Sequence, residues 1–353
     1  MQMEMTQLDG MVVHTSWNQS KLRMAVALSD GALQIWDAST EASGTSHLTL
    51  TGHWDAGVGG FCPKVTWAPS EYGDVVASCS VDGVISLWEE VILDGETEGT
   101  WRRIASLNTA QLSVLDMQFS NTKTGLLLLV ISADGHARIY HTIDVLNVAK
   151  WQLQAELQNS RTPIEINGKY TFLGASVAWR SSTSRSPQPA FAFGCNSSSS
   201  SLNVAKVWEF EQSHQRWFCV AELREADELD KPVNHVSWAP NIGRDVRNPQ
   251  MSCIEHVIVF PPVSLPVPGS YEMIAVASGD GISIWQVAGA QEKCSVRRVA
   301  RLMGFEDEVW QAEWDMSGMT LASAGSDGIV RLWQANLKGV ICIVINFAII
   351  MST

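Results

Sequence analysis

Short runs of alternating apolar and polar residues, separated by turn residues, recur along the chain. The clearest copy lies between Val309 and Gln334, where turn residues at 315–318 and 326–328 separate three β-prone runs. This pattern predicts a three-stranded β-meander. A meander with apolar residues on both faces cannot bury itself, so it needs copies of itself on either side.

Five further copies of this layout precede Val309 in the chain. Each copy closes its third predicted strand with an aromatic residue, and successive aromatics lie 52, 52, 68, 77 and 48 residues apart. They are Trp36, Trp88, Tyr140, Trp208, Trp285 and Trp333. A period of about 50 residues with this strand content predicts an all-β, six-bladed β-propeller with one blade per repeat.

The first predicted strand of each repeat also closes on an aromatic residue. These residues are Trp17, Trp67, Phe119, Trp179, Trp238 and Trp314. Large aromatic side chains at a fixed place in every repeat are typical of packing between blades, so we interpret them as core residues rather than ligand-stacking residues.

The repeats predict one propeller domain over residues 1–338, with two segments outside the pattern. Residues 247–270 interrupt the fifth repeat and contain five prolines, which predicts an exposed loop. Residues 339–353 form an atypical apolar tail, and its apolar run at 340–351 is too short to span a bilayer. A β-strand or a gene-model artefact is therefore favoured over a membrane anchor.

Composition agrees with a globular propeller and disfavours direct binding to nucleic acid. The hydrophobic fraction is 46%, and 37 acidic against 24 basic residues give a net charge of −13. No segment carries the Lys/Arg cluster that phosphate binding requires. The first residues lack the basic and apolar regions of a signal peptide. Seven cysteines without a close pair indicate reduced thiols in a nuclear or cytosolic protein.

Candidate chemistry is sparse. Five Asp-Gly dipeptides could supply a ring of carboxylates, but each falls at a predicted hairpin, where glycine supplies the positive φ of a tight turn. Their aspartates are Asp30, Asp82, Asp134, Asp280 and Asp327. The histidines and cysteines lack zinc-site spacing, and no nucleophile elbow, P-loop or dinucleotide fingerprint occurs. The sequence therefore predicts a non-enzymatic binding module without cofactor or metal.

Several local motifs resemble those of WD-repeat proteins. Trp36-Asp37 closes a third strand, and Gly52-His53 is a Gly-His dipeptide at the expected place. Longer stretches resemble the Seh-type WD-repeat nucleoporins of the Y-shaped nuclear pore scaffold, and are most similar to plant members. These stretches include W-N-Q-S at 17–20, A-P-S-E-Y-G-D at 68–74, S-W-A-P-N-I-G-R at 237–244 and the segment 308–323. The resemblance covers roughly residues 8 to 338 apart from the insertion.

This resemblance implies a structural scaffold subunit of the nuclear pore complex, in the nucleus at the nuclear envelope, that supports transport of mRNA and protein. Members of the family are also shared with a TOR-regulating complex at the lysosomal or vacuolar membrane surface, reached through partners. Two alternatives remain open at this point: a vesicle-coat WD-repeat subunit and a ubiquitin-ligase substrate receptor. The Trp-Asp-x-Arg motif of such receptors is absent at Trp36–Ser39, which argues against the latter.

The resemblance also implies an open propeller. An α-helical Y-complex nucleoporin would donate a seventh blade, other scaffold nucleoporins would be further partners, and neither nucleic acid nor membrane would be bound directly. A donated blade would cover apolar faces and strand edges left exposed at the ends of the repeat series. The partner-binding residues predicted on this basis are Met11, Val13, Trp17, Met24, Val26 and Leu28 in the first repeat, and Val309, Ala312, Leu321 and Ala322 in the last. The outer strand of the last blade would come from Leu337 to Ile345 or be missing.

Overall fold

The computed structural model describes most of the chain as β-strands joined by turns. The described residues are 10–40, 46–56, 61–92, 99–109, 112–120, 125–142, 144, 147–158, 165–166, 169–170, 172–181, 188–225, 231–240, 257–258, 271–279, 281–289, 294–335 and 341–348. Their only helical elements are two single 3₁₀ turns, Ser70–Tyr72 and Ser200–Leu202.

The first compact unit comprises residues 1–120 and 125–158. Its described part contains three antiparallel four-stranded sheets, which are blades one to three. Blade one consists of β1 Val12–Trp17, β2 Arg23–Leu28, β3 Ala32–Thr40 and β4 Ser46–Asp55. Blade two consists of β5 Lys64–Trp67, β6 Val75–Cys79, β7 Val84–Val91 and β8 Thr100–Asn108. Blade three consists of β9 Val114–Phe119, β10 Leu127–Ser132, β11 His136–Thr142 and β12 Trp151–Gln158.

The second compact unit comprises residues 121–124 and 159–353. A short hairpin of β13 Glu165–Ile166 and β14 Lys169–Tyr170 precedes blades four to six. Blade four consists of β15 Phe172–Trp179, β16 Ala190–Ser197, β17 Ala205–Glu211 and β18 Arg216–Leu223. Blade five consists of β19 Val233–Trp238, β20 Val257–Ile258, β21 Tyr271–Ser278, β22 Gly281–Ala288 and β23 Ser295–Leu302. Blade six consists of β24 Val309–Trp314, β25 Thr320–Gly325, β26 Ile329–Ala335 and β27 Ile341–Ala348.

These six sheets confirm the all-β propeller fold with one blade per repeat. Within each blade the strands pair antiparallel in chain order, apart from β20, which is added at the outer edge of blade five. The third-strand aromatic always faces an apolar residue of the second strand across the ladder, as Trp36 faces Met24 and Trp333 faces Leu321. The repeat period therefore fixes the strand register as well as the blade count.

The Asp-Gly dipeptides serve as hairpin turns. Gly31, Gly83, Gly135 and Gly328 have φ of 89, 76, 76 and 68°, the left-handed region that glycine adopts without strain. The carboxylates of Asp30, Asp134 and Asp327 each accept a hydrogen bond at 3.0 Å from the backbone N–H two residues later. Asp280 lies outside the described residues. The turn interpretation is confirmed for these three aspartates, because their carboxylates bond to backbone within the turn.

Three features differ from the sequence-based prediction. Each blade has a fourth, outer strand, whereas the repeats predicted three strands. Part of the 247–270 insertion, Val257–Ile258, pairs with Leu302 and Arg301 as an added strand, and the rest of the insertion lies outside the described residues. The predicted domain end at residue 338 falls before the outer strand of blade six, because Ile341–Ala348 pairs with β26.

Hydrophobic clusters hold neighbouring blades together within each unit. In the first unit, one cluster joins blades one and two and another joins blades two and three. In the second unit, one joins blades four and five and another joins blades five and six. In these four contacts, the face that a blade presents to the next blade of the chain is called its forward face, and the face presented to the preceding blade is called its rear face. The corresponding faces of the other blades are given the same names.

Candidate functional site

The forward faces of blades one, two, four, five and six have a common composition. Two positions on the second strand carry small residues, and the two positions opposite them on the third strand carry small or branched aliphatic residues. Blade three differs, because Leu129 and Ile131 occupy its two second-strand positions. In blade five the four residues are Ala275, Ala277, Ile282 and Ile284, and all four are 0% exposed. They pack against Val309, Ala312, Leu321 and Trp333 on the rear face of blade six.

The same four positions are buried in the other blades whose forward neighbour lies in the same unit. They are Ala25, Ala27, Leu33 and Ile35 in blade one, Ala77, Cys79, Ile85 and Leu87 in blade two, and Ala192, Gly194, Ala205 and Val207 in blade four. A following blade covers each of these faces.

The forward face of blade six differs in exposure and not in chemistry. Its four positions are Ala322, Ala324, Val330 and Leu332, and all are half-buried. Ile345 faces Leu332 across the ladder on the outer strand and is 43% exposed. This sheet face therefore presents apolar side chains that blades one, two, four and five keep buried.

The rear face of blade one is exposed at its first strand. Val12 is 38% exposed, whereas its counterparts Val114 and Val309 are 1% and 0% exposed. Trp17 is 36% exposed, against 7% for its counterpart Trp67. Deeper in the same face, a cluster is buried within the blade, comprising Met24, Val26, Leu28 and Trp36 with Ala32 and Leu48 at its margin.

Exposed large apolar side chains concentrate in the first and last blades. Among the described residues there are 14 of them, and nine lie in or beside the strands of blades one and six. These nine are Met11, Val12, Trp17, Leu22, Leu50, Trp310, Met316, Met319 and Ile345. If exposed apolar side chains occurred at random, they would be distributed over all six blades. Their concentration in blades one and six therefore makes these two blades candidate protein-binding surfaces.

Three of the predicted partner-binding residues lie on the wrong face of blade six. Val309, Ala312 and Leu321 are 0% exposed and pack against blade five. Successive residues of a strand point to opposite faces, so neighbouring positions such as Leu321 and Ala322 serve different interfaces. Ala322 is on the forward face, and its role in partner binding stays a prediction.

In blade one, the predicted residues differ in accessibility. Met24, Val26 and Leu28 are 6%, 0% and 4% exposed, so these side chains are core residues of the isolated chain. Trp17 is exposed, and Met11, just before β1, is 76% exposed. Val13 sits at a β-bulge, where the register shifts between Val12 and His14.

Val12 and Ala324 fall inside the strands predicted to border the partner site, Met11 to Trp17 and Leu321 to Ala324. Sequence reasoning missed three residues of these surfaces: Val330, Leu332 and Ile345. The signal was available for most of them. Val330 and Leu332 belong to the predicted third strand and stand two residues apart, so they share one face. The strand register places Leu332 opposite Ala322. If each strand position had been assigned to the face toward the preceding blade or to the opposite face, Val330 and Leu332 would have been identified.

One cluster of side chains has the composition of a metal site. Asp134, His136 and Glu156 place ligand atoms within 4.8 Å of one another. The guanidinium of Arg138 lies among them, donating to Asp134 Oδ2 at 2.7 Å and to Glu156 Oε1 at 2.8 Å. Burial would lower the pKa of Arg138, but hydrogen bonds and charge interactions with the carboxylates raise it overall. The arginine already supplies the positive charge, so the cluster is an ion-pair network of blade three.

The described cysteines offer no reactive thiol on these faces. No disulfide joins the described cysteines, which are Cys62, Cys79, Cys195, Cys219 and Cys294. Desolvation by burial raises the pKa of Cys62 to about 11 and that of Cys79 well above its ordinary value. Thiols with raised pKa stay protonated at neutral pH and are poor nucleophiles.

Among the described residues, no helix is long and apolar enough to cross a membrane. The apolar tail that raised the question contributes β27 to blade six instead.

The six four- or five-stranded blades and their repeated aromatic positions define a WD-repeat β-propeller. In agreement, the family described as WD domain, G-beta repeat matches residues 44–89 and 297–334. Protein SEH1 of Arabidopsis thaliana is 39% identical over 339 residues, which cover 95% of each chain. Nucleoporin SEH1-A of Xenopus laevis and Nucleoporin SEH1 of Homo sapiens are each 29% identical over 328 residues, 89% of this chain and 79% of theirs. The chain belongs to the SEH1 family.

Proposed function

We propose that the chain is a non-enzymatic scaffold subunit of the nuclear pore complex, located at the nuclear envelope as part of the Y-shaped subcomplex. Membership of a family whose animal representatives bear the name nucleoporin supports this assignment. The absence of recognisable catalytic motifs in the sequence is in keeping with a scaffold role.

The proposed scaffold role consists of holding a β-blade donated by an α-helical nucleoporin of that subcomplex. The observation that carries this proposal is the half-buried forward face of blade six, at positions where blades one, two, four and five are covered. An apolar sheet face left accessible in a folded chain is an aggregation hazard unless a partner covers it. The exposed first strand of blade one, with Val12 and Trp17, is the second surface proposed for the partner.

A charged substitution on the forward face of blade six tests the proposal. We expect Ala322→Asp to abolish co-purification with the α-helical nucleoporin, because an unpaired carboxylate would be buried under the partner's blade. A fluorescently tagged variant would also lose its nuclear-rim signal. Leu153→Asp on the outer strand of blade three is the matched control, since Leu153 is 45% exposed and belongs to neither end face.

To test the surface on blade one, the substitution has to be made at an exposed position and not at a buried one. Val26 is 0% exposed, so Val26→Asp would disturb folding as well as binding. Trp17→Asp changes an exposed side chain and is the cleaner test. Unchanged co-purification of both Ala322→Asp and Trp17→Asp, with loss in Leu153→Asp, would place the partner site elsewhere and refute the proposal.

A further inference from the structure

Three blades carry an acidic residue directly after the aromatic residue of the third strand. These acids are Asp37 in blade one, Glu89 in blade two and Glu209 in blade four. Each stands two residues beyond an aliphatic residue of the forward face, so its side chain is directed toward the following blade. The three carboxylates therefore occupy equivalent places in the fold.

In blade one, this acid holds an arginine that reaches the following blade. Arg23 Nε donates to Asp37 Oδ1 at 2.8 Å, and Arg23 Nη2 donates to Glu90 Oε1 of blade two at 3.1 Å. The guanidinium also lies 5.8 Å from the ring centre of Trp67, which closes the first strand of blade two. The Arg23 side chain is 16% exposed, so two carboxylates and an aromatic ring hold this cation largely out of water.

Blade four holds an arginine in the same way. Arg180 Nη2 donates to Glu209 Oε2, and Arg180 Nε donates to Glu272 Oε2 of blade five, both at 2.9 Å. Its guanidinium lies 5.2 Å from the ring centre of Trp238, which closes the first strand of blade five. Arg180 follows the first strand of its blade, whereas Arg23 begins the second strand. The two sites thus share the groups that receive the guanidinium, and not the segment that supplies it.

At the equivalent place after blade two, a groove of about 720 Å³ lies between blades two and three. Glu71, Tyr72 and Glu89 of blade two line this groove, here called the blade two–three groove, and residues 147–149 of blade three line its other side. Among the described residues, Glu89 forms an ion pair with Arg102 of its own blade, at 3.7 Å, where the two side chains are 39% and 68% exposed. An exposed pair at this distance contributes little, so the Glu89 carboxylate lacks the strong guanidinium contacts of Asp37 and Glu209.

We propose that the blade two–three groove binds an arginine side chain carried by a peptide segment of a partner protein. The carboxylates of Glu89 and Glu71 accept hydrogen bonds from the guanidinium, and the ring of Tyr72 contacts its face. The net charge of −13 favours a cationic ligand. This site is separate from the end surfaces of blades one and six, so the inference does not rest on the proposed function.

The size of the groove allows contacts beside the arginine. Ligand pockets have volumes of about 300–1,000 Å³, and an arginine side chain fills only part of this one. Ile104 and Val148 also line the groove and belong to the apolar cluster that joins blades two and three. Aliphatic residues next to the arginine in the partner segment therefore pack on these two side chains.

Arg102 gives the test a defined sign. In the free chain it is the cation beside Glu89, so an arginine of the partner competes with it for the same carboxylate. Loss of the Arg102 charge therefore strengthens binding of an arginine segment. An acidic segment would instead need Arg102 and Arg103, which are both exposed on the groove, and the same change would weaken its binding.

Methyl NMR of the full chain, labelled with ¹³C at the isoleucine methyl groups, measures binding in the groove. The probe is the blocked peptide Ac-Ala-Ala-Arg-Ala-Ala-NH2, and two matched peptides carry Lys or Glu at the central position. The arginine peptide should shift the Ile104 resonance, with a Kd at least about tenfold lower than that of the glutamate peptide. The resonance of Ile35, which is 0% exposed in blade one, should not move.

Three variants assign the interaction to its groups. Glu89→Gln keeps the size of the side chain and should weaken binding of the arginine peptide about tenfold, because a charge-assisted hydrogen bond is lost. Arg102→Gln should strengthen binding about threefold. Glu222→Gln is the matched control and should bind as the natural chain does, because Glu222 is 50% exposed and pairs across the ladder with Lys206 in blade four.

The other outcomes overturn the inference. They include no shift of Ile104 with the arginine peptide, equal affinity for the lysine peptide, and unchanged binding in Glu89→Gln. A glutamate peptide that binds more tightly than the arginine peptide, and more weakly after Arg102→Gln, would assign the groove to an acidic segment. A gain in affinity cannot arise from misfolding, so unchanged or weaker binding of the arginine peptide in Arg102→Gln overturns the inference even if Glu89→Gln fails to fold.

Discussion

The forward faces of blades five and six are chemically almost identical and structurally different. Both have alanine at the two second-strand positions, Ala275 and Ala277 in blade five and Ala322 and Ala324 in blade six. The blade-five side chains are 0% exposed and the blade-six side chains are half-buried. The same apolar composition is thus buried in blade five, which blade six follows in the chain, and only half-buried in blade six, which no further blade follows.

This difference underlies the binding role proposed for the forward face of blade six. Apolar area removed from water contributes roughly 25 cal/mol per Å². On blade five that contribution belongs to the stability of the chain, because blade six covers the face. On blade six it remains to be gained on association, so an equivalent contact would contribute to affinity.

The largest expected effect comes from removing the aromatic that covers blade five. Trp333 is 0% exposed, and Trp333→Ala should lower the free energy of unfolding by about 3–5 kcal/mol. Urea unfolding followed by circular dichroism measures the change. Trp310→Ala, in the same blade but 57% exposed, should alter stability by less than about 0.5 kcal/mol. Equal losses in the two variants would contradict the assignment of Trp333 to a covered face.

The aromatic pair of each repeat made the fold predictable. Trp314 and Trp333 both face Leu321 in the ladder of blade six, which explains why their spacing recurs wherever a blade is built. The Asp-Gly turns added the hairpin positions, since Gly328 needs the positive φ that its sequence context indicates. Blade number and inner-strand positions therefore follow from local sequence.

The outer strands did not follow from the same signals. Thr100–Asn108 alternates poorly between exposed and half-buried positions. This outer strand pairs along only one edge, with β7 of its own blade, and several of its side chains are exposed. For the candidate site, the sequence predicts which residues share a face of a strand, but it does not predict which blade that face contacts. Alternation separates Leu321 from Ala322, but which of the two faces the preceding blade depends on the packing between blades. That choice is a tertiary property, and the sequence-based assignment of Val309, Ala312 and Leu321 was wrong.

A smaller effect is expected when a larger side chain is introduced on the forward face of blade five or of blade six. Ala275→Leu should destabilise the chain by about 1–3 kcal/mol, because blade six leaves no room for three further carbons. Ala322→Leu should cost less than about 0.5 kcal/mol in the isolated chain, since its site is half-buried. Thermal unfolding of the matched pair gives the comparison. A loss at Ala322 as large as at Ala275 would mean that the blade-six face is covered within the chain itself.

The smallest effect concerns the hydrogen bond between the side chains of Trp333 and Ser323 in blade six. Trp333 Nε1 donates to Ser323 Oγ at 2.8 Å, and both residues are buried. Ser323→Ala should leave the indole N–H without a partner and cost about 1–2 kcal/mol of unfolding free energy. Trp333→Phe removes the donor, so adding Ser323→Ala to that variant should cost much less than it does in the natural chain. A double-mutant cycle by urea unfolding measures this coupling, which we expect to be about 1 kcal/mol. Additive losses would show that the indole N–H finds its partner elsewhere.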